Sequence, residues 1–292
     1  MIIRKAVFPA AGMGTRFLPA TKAQPKEMLP LIDKPIIQYV IEETIQSGVK
    51  DIIIVTGRGK NAIEDHFDIS FELERYLEEK GKTKELEEIL RISHMIDVAY
   101  VRQKEALGLG HAILVTKDMV SDEPFAVMLS DDIVESKVPC LKQIIDAYRK
   151  HRCSIIAVER IEKKRSRDYG IIDCRKIGAR EYEIRDLVEK PAPSEAPSNF
   201  AIIGRYILSP AIFRYLEETK LDRRGELQLT NGLKGLLKTE KIVALEFEGK
   251  RYDAGNKLEY LKATVEFALR RSDLAKDFRK YLLSLSLRRF KC

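Results

Sequence analysis

Four places in this 292-residue chain combine residue types that could act on phosphate. The first is residues 10–30, AAGMGTRFLPATKAQPKEMLP, which carries Gly12, Gly14, Arg16, Lys22 and Lys26. Glycines let a backbone turn tightly and bring its N–H groups to an anion, and the basic side chains supply the charge a polyphosphate requires. The stretch reads as a nucleoside-triphosphate loop. Two better-known loops do not match it. A dinucleotide-binding G-x-G-x-x-G needs glycine where Phe17 stands, and no G-x-x-x-x-G-K-[ST] string occurs. A surface turn with chance basic residues competes with the phosphate reading, and the length of the glycine-and-basic stretch counts against it.

The second place is Asp131–Asp132, closing the apolar run FAVMLSDD. Ligands of open α/β sheets gather beyond the carboxyl ends of strands, where one carboxylate could hold Mg²⁺ together with substrate phosphate and water. A DD pair after a strand is equally a turn. Asp253, in RYDAGNK, offers a second carboxylate from a distant loop. The third place is Glu189-Lys190-Pro191, a strand end from which Lys190 could reach a phosphate and Glu189 could accept from hydroxyls; alone, it also reads as a solvated strand end. The fourth is QKEALGLGHA, where Gln103 could face a base and Gly108 and Gly110 allow close backbone approach. His66, His94, His111 and His151 are scattered without ligand spacing, and no Ser-His-Asp, Cys-His or G-x-S-x-G arrangement occurs.

These residues need a frame to bring them together. Apolar runs and helical stretches alternate through the first half: AVF, a helix over 35–47, DIIIVTG, two charged helices over 71–92 broken at Gly81, VAYVRQ, GHAILVTKDM, FAVMLSDD, CLKQIIDAYRKH and CSIIAVERI. After residue 165 strands dominate: RDYGIIDC, YEIRDLVEKP and NFAIIGRYIL. Helices over 210–218 and 226–237 follow, then the strand IVALEFEG, the loop RYDAGNK and one long closing helix. The pattern predicts an α/β fold, with a Rossmann-like, mixed and mostly parallel nucleotide-binding sheet flanked by helices. A β-rich subregion and a C-terminal helix complete it. One domain is expected, in a first half (about 1–160), a β-rich second half (about 161–256) and the closing helix (257–292).

Composition sets the boundaries. The chain has 45% hydrophobic and 33% charged residues, and no window approaches the 18 apolar residues of a membrane span. The N-terminus lacks the apolar segment and cleavage site of a signal peptide, so the cytoplasm is expected. Cys140, Cys153, Cys174 and Cys292 are widely spaced and read as reduced. The formal charge of +7 raises the question of nucleic acid, but the cations are interleaved with acids, and such an excess also suits phosphorylated substrates.

Taken in order, AAGMGTRFLPATKAQPKEMLP, QKEALGLGHA, FAVMLSDD, DYGIID, VEKP, NFAIIGRYIL, GELQLT and RYDAGNK resemble the bacterial UTP–glucose-1-phosphate uridylyltransferases, or UDP-glucose pyrophosphorylases. The resemblance runs from Ala6 to about Leu269, and implies that about 1–160 is a nucleotide-binding half and about 161–256 a sugar-phosphate-binding half. It implies that Ala10, Ala11 and Gly12 hold the uracil and ribose side of UTP, and that Gly14, Thr15 and Arg16 lie over the phosphates. Lys26 would contact the nucleotide phosphates, and Gln103 and Gly108 the base. Asp131 and Asp253 would bind Mg²⁺. Gly170, Glu189, Lys190 and Gly204 would bind glucose 1-phosphate, with Lys190 on its phosphate; Arg16, Lys26 and Lys190 are the expected catalytic cations. Asp132, Gln24 and Asn231 depart from the family pattern, and the role of Asp132 is left open. The implied reaction is in-line attack of the sugar phosphate on the α-phosphorus of UTP. A thymidylyltransferase or another sugar-1-phosphate nucleotidyltransferase is the alternative. A homo-oligomer, dimer or tetramer, is expected, with no nucleic-acid or membrane partner.

Overall fold

The structure is a computed structural model describing residues 2–285. Its first strand, β1 (Lys5–Pro9), turns Ala6 and Phe8 to one face and Val7 to the other, all completely buried. A strand covered on both faces needs a continuous apolar run, which is why AVF shows no polar alternation. β4 (Asp51–Thr56) and β6 (Phe125–Met128) repeat the pattern, after the short antiparallel pair β2 (Pro30–Leu31) and β3 (Lys34–Pro35), whereas β5 (Val98–Arg102), at the sheet edge, is half-buried. β7 (Asp132–Glu135), β8 (Ser154–Arg160), β9 (Gly170–Lys176), β10 (Glu181–Glu189), β11 (Phe200–Leu208), β12 (Ile242–Glu246) and β13 (Lys250–Asp253) follow.

Among the described residues the main sheet has nine strands in the order β5-β4-β1-β6-β11-β8-β12-β10-β9. β5, β4, β1 and β6 are mutually parallel. β11 runs antiparallel to both β6 and β8, β8 pairs parallel with β12, and β10 is antiparallel to β12 and β9. The mixed sheet is therefore parallel in the first half of the chain and largely antiparallel in the second.

Helices cover both faces. One core holds Ile37, Val40 and Ile41 of α1 (Ile36–Gln46), Ile63 and Phe67 of α2 (Asn61–Phe67), and Leu141 and Ile144 of α7 (Cys140–His151). Between α2 and α7 come α3 (Phe71–Glu79), α4 (Thr83–Ser93), α5 (Leu109–Leu114) and α6 (Lys117–Val120). The opposite core holds Ala112 and Ile113 of α5, Phe213 and Leu216 of α8 (Ile212–Glu218), and Leu233 and Leu236 of α9 (Leu229–Leu236). Cys140 is buried and Cys153 and Cys174 half-buried, all free thiols; Cys292 lies outside the described residues. No described helix is long and apolar enough to cross a membrane.

Three expectations need correction. RYDAGNK is not wholly a loop: Lys250–Asp253 forms β13, antiparallel to β7 with Asp253 opposite Asp132, because Tyr252 and Ile133 bury their side chains in one small core. The expected helix over 226–237 begins only at Leu229. Residues before it stay extended because Leu227 exchanges backbone hydrogen bonds with Leu107 and Gly110 at 2.7 and 2.8 Å. The single closing helix is two, α10 (Lys257–Ala268) and α11 (Ala275–Ser284). Between them Arg271 turns back to Asp33 and to Asp273, which fixes a break.

Candidate active site

Parallel strands place their carboxyl ends along one edge, so the segments after β1, β5 and β6 converge there. They form a cleft of about 570 Å³ lined by Gly12, Gly14, Thr15, Arg16, Lys26, Gln103, Gly108 and Asp131. Residues 10–30 turn through short 3₁₀ segments at Thr15–Phe17, Ala20–Lys22 and Lys26–Met28. Gly14 makes the first turn with φ +65°, and a β-carbon there would stand 3.1 Å from Lys26 Cβ. Its carbonyl accepts from Thr21 Oγ1 at 2.8 Å. Arg16 is exposed and has no ion-pair partner among the described residues. Ala11 lines the cleft, whereas Ala10 is fully buried in the core and its amide is bound to Val55 O at 2.9 Å.

Gln103 is 6% exposed at the end of β5, with its backbone N–H donating to Thr56 O. Its Nε2 donates to Gly108 O at 3.3 Å and lies 2.8 Å from His111 Nδ1. Those contacts fix the amide plane and leave Oε1 without a protein partner among the described residues.

Asp131 lies in the turn between β6 and β7, where Lys26 Nζ donates to its Oδ2 at 2.5 Å. Burial opposes charge on both groups, but their mutual attraction prevails. Lys26 is held above the ordinary lysine value and Asp131 below the ordinary carboxylate value. Asp253, at the end of β13, accepts from Gly255 N at 3.1 Å and Tyr169 OH at 3.2 Å. A β-carbon on Gly255 would lie 2.8 Å from Asp131 Oδ2 and 3.1 Å from Asp253 Oδ1, so the two carboxylates converge on one small space that a side chain would fill. Two hard oxygen donors beside a phosphate-sized cleft suit Mg²⁺, which keeps waters and completes its shell with substrate phosphate. No cluster of three or more His, Cys, Asp or Glu that could hold a metal occurs among the described residues.

Asp132, whose role the sequence left open, is 4% exposed. Burial raises it while Arg251 pulls it down. It accepts from Arg251 Nη2 at 2.5 Å, Arg251 Nε at 2.6 Å and Gly204 N at 2.9 Å. Arg251 also binds Glu159 at 2.7 Å and lies 3.8 Å from Asp253, joining the two carboxylate-bearing strands. Gly204 is thereby held against Asp132, where a β-carbon would stand 2.6 Å from Asp132 Oδ2. Arg205, fully buried, donates from Nη1 to Leu129 O at 3.1 Å and from Nη2 to Asp132 O at 2.6 Å, while Nη2 and Nε grip Glu43 of α1 at 2.7 and 3.2 Å. It clamps both ends of the turn carrying Asp131.

A second cleft of about 260 Å³ is lined by Gly170, Glu189, Lys190, Gly204, Tyr206, Thr230 and Asp253. Asp131 and Lys190 line both clefts. Lys190 has φ +46°, a left-handed conformation rare outside glycine and characteristic of functional sites. Its amide donates to Tyr169 O at 3.0 Å, and its Nζ lies 3.4 Å from Glu189 Oε1. Glu189 Oε2 accepts from Thr230 at 2.6 Å.

Sequence reasoning left the role of Asp132 open and missed Arg251, Arg205, Tyr169 and Thr230. It also missed a buried pair under the glycine loop, Lys60 Nζ on Glu27 Oε2 at 2.7 Å. The signals available were an arginine inside the apolar run AIIGRYIL and a glutamate inside PKEMLP, each needing a partner if buried.

Nearly the whole chain is similar to known proteins of one family. Residues 5–269 match the model of the nucleotidyl transferase family. The UTP–glucose-1-phosphate uridylyltransferase of Bacillus subtilis is 53% identical over 272 residues, covering 93% of both chains. The UTP–glucose-1-phosphate uridylyltransferase 2 of Staphylococcus saprophyticus is 50% identical, over 98% of this chain and 99% of its own. Among solved structures, a UDP-glucose pyrophosphorylase complexed with UDP-glucose superposes with TM-score 0.85 at 45% identity, over 92% of this chain and all of the other. The UTP-bound UGPase of Acinetobacter baumannii gives TM-score 0.91 at 39% identity, over 98% of this chain and all of its own. With half its residues shared across nearly the full length of such relatives, the chain belongs to the nucleotidyl transferase family.

Proposed function

We propose that this chain makes UDP-glucose and pyrophosphate from UTP and α-D-glucose 1-phosphate. The observation that carries the reading is the junction of the two clefts at Asp131 and Lys190, in a chain half identical to uridylyltransferases. In this reading UTP lies along residues 11–16, with its base at Gln103 and Gly108; the N3–H of uracil meets the free Gln103 Oε1. Ala10 anchors the loop from the core instead of touching the nucleotide. The sugar phosphate occupies the second cleft, with its hydroxyls toward Glu189 and Gly170 and its phosphate on Lys190.

The attacking group is a phosphate oxygen, already an anion, so no side chain needs to remove a proton. The α-phosphorus–pyrophosphate bond breaks as the new phosphorus–oxygen bond forms in line. The barrier is the approach of two anions and the charge that develops on pyrophosphate. Lys190 neutralises and aims the nucleophile, Lys26 the α-phosphate, and Arg16 the departing pyrophosphate. Positioning and fixed charge of this kind are the main levers in phosphoryl-type transfer. When bound at Asp131 and Asp253, Mg²⁺ would add neutralisation of the triphosphate. We place the activity in the cytoplasm, in a homo-oligomer whose size sedimentation would read.

A pyrophosphate-release assay with UTP, dTTP and a set of sugar 1-phosphates tests the proposal. UTP with glucose 1-phosphate should be the fastest pair; a preference for dTTP over UTP would refute the uridylyl assignment.

A further inference from the structure

The motif GELQLT has no role in the reading above, yet its last residue reaches the sugar cleft. Thr230, in the first turn of α9, is 8% exposed, and its Oγ1 donates to Glu189 Oε2 at 2.6 Å. Glu189 closes β10, and its other oxygen lies 3.4 Å from Lys190 Nζ. A β-carbon on Gly170 would stand 3.2 Å from Thr230 Oγ1 and 3.4 Å from Glu189 Oε2. The missing side chain at Gly170 is therefore what leaves the pair open to the cleft.

We propose that Thr230 is the positioning residue that sets the plane of the Glu189 carboxylate and, through it, the selection of the sugar by the configuration of its hydroxyls. The inference rests on the sugar-phosphate reading of the second cleft. An ionised carboxylate offers about four acceptor positions. Thr230 occupies one on Oε2, and the Lys190 ammonium stands beside Oε1. The remaining positions then have one fixed direction, suited to neighbouring equatorial hydroxyls of a pyranose. A sugar with one hydroxyl inverted presents its proton elsewhere and leaves a desolvated acceptor unmatched. Sites built to hydrogen-bond a hydroxyl discriminate through that penalty. Without Thr230 the carboxylate can turn about its terminal torsion, which has broad minima, and the direction is lost. Thr230 touches no reacting atom in this arrangement; it acts through Glu189.

Steady-state kinetics on T230V, T230S and E189Q test the assignment. T230V keeps the shape and removes the donor. It should raise KM for glucose 1-phosphate about tenfold, the scale of one lost hydrogen bond to a charged group, with KM for UTP unchanged. The preference for glucose 1-phosphate over galactose 1-phosphate should fall by a similar factor, and T230S should restore both values. If T230V does not fold, T230A carries the same readout with less bulk. Unchanged glucose 1-phosphate kinetics, or an equal loss on both substrates that serine does not rescue, would overturn the role of Thr230. If E189Q also leaves KM for the sugar phosphate unchanged, the sugar-cleft reading itself is wrong, which T230V alone would not reveal.

Discussion

At the scale of single residues, Lys26 is bound to a carboxylate that the proposed metal also requires. The ammonium and a divalent cation compete for Asp131 Oδ2, and a triphosphate that draws Lys26 away would free that oxygen. K26M should therefore tighten Mn²⁺ binding to the nucleotide-free protein about tenfold, read by electron paramagnetic resonance, within the usual range of coupling between ligands. The same variant should lower turnover on the order of 10²-fold, because a charge aimed at the α-phosphate is gone. Equal Mn²⁺ affinity in both proteins would refute the competition. G255A should act oppositely on the metal: its methyl enters the space between Asp131 and Asp253, so Mn²⁺ binding weakens in a protein that still folds. The pair also leaves a pH signature. Asp131 binds its proton less tightly in the folded chain than at its ordinary value of 3.8, so its contribution to stability is present above that pH and is lost as pH falls through the lower folded value. Thermal melts of D131N should be lower than wild type well above that pH and converge with it well below; a constant difference would contradict the pairing. Lys26 and Asp131 were legible from residue type and position after a strand. The pairing of Asp132 with Arg251 was not, because 119 residues separate the partners and nothing local marks either as buried.

At the scale of elements, the turn between β6 and β7 is held by a group from β11 anchored to α1. Arg205 and Glu43 are nearly inaccessible, and Glu43 Oε1 additionally accepts from Leu141 N of α7 at 2.9 Å. Removing one member leaves a buried charge uncompensated, which costs about 3–5 kcal/mol. R205M should lose about that much in urea unfolding, and E43Q/R205M should recover a large part of it. A single-variant loss below about 1 kcal/mol would refute the clamp. The buried strands were readable because parallel β1, β4 and β6 are uniformly apolar. β7 and β13 were not: DIVE and KRYD are short and carry charges that serve the site, and Tyr252 and Ile133 contribute only single buried positions. The helix break at 269–274 was likewise hidden, since apolar spacing continues through it and the stop comes from the distant Asp33.

At the scale of the molecule, the sheet divides the labour of the proposed reaction. Its parallel half presents loops at the carboxyl ends of strands, as nucleotide folds do, while the antiparallel half supplies β9, β10 and β11 for the sugar cleft. β11 lies between β6 and β8, so Gly204 and Arg205 carry the link between halves and place Asp131 where the clefts meet. The two proposed metal ligands likewise come from far apart, at residues 131 and 253, and Arg251 ties Asp132, the neighbour of the first, to the strand that carries the second. Because protein ion pairs already join those strands, the proposed cation would serve catalysis and not the fold. Chelation with EDTA should therefore abolish pyrophosphate release while leaving the melting temperature unchanged, and added Mg²⁺ should restore turnover in full. A melting temperature that drops on chelation would make the metal structural; turnover that survives it would remove the cation from the reaction and return its whole task to Lys26, Arg16 and Lys190.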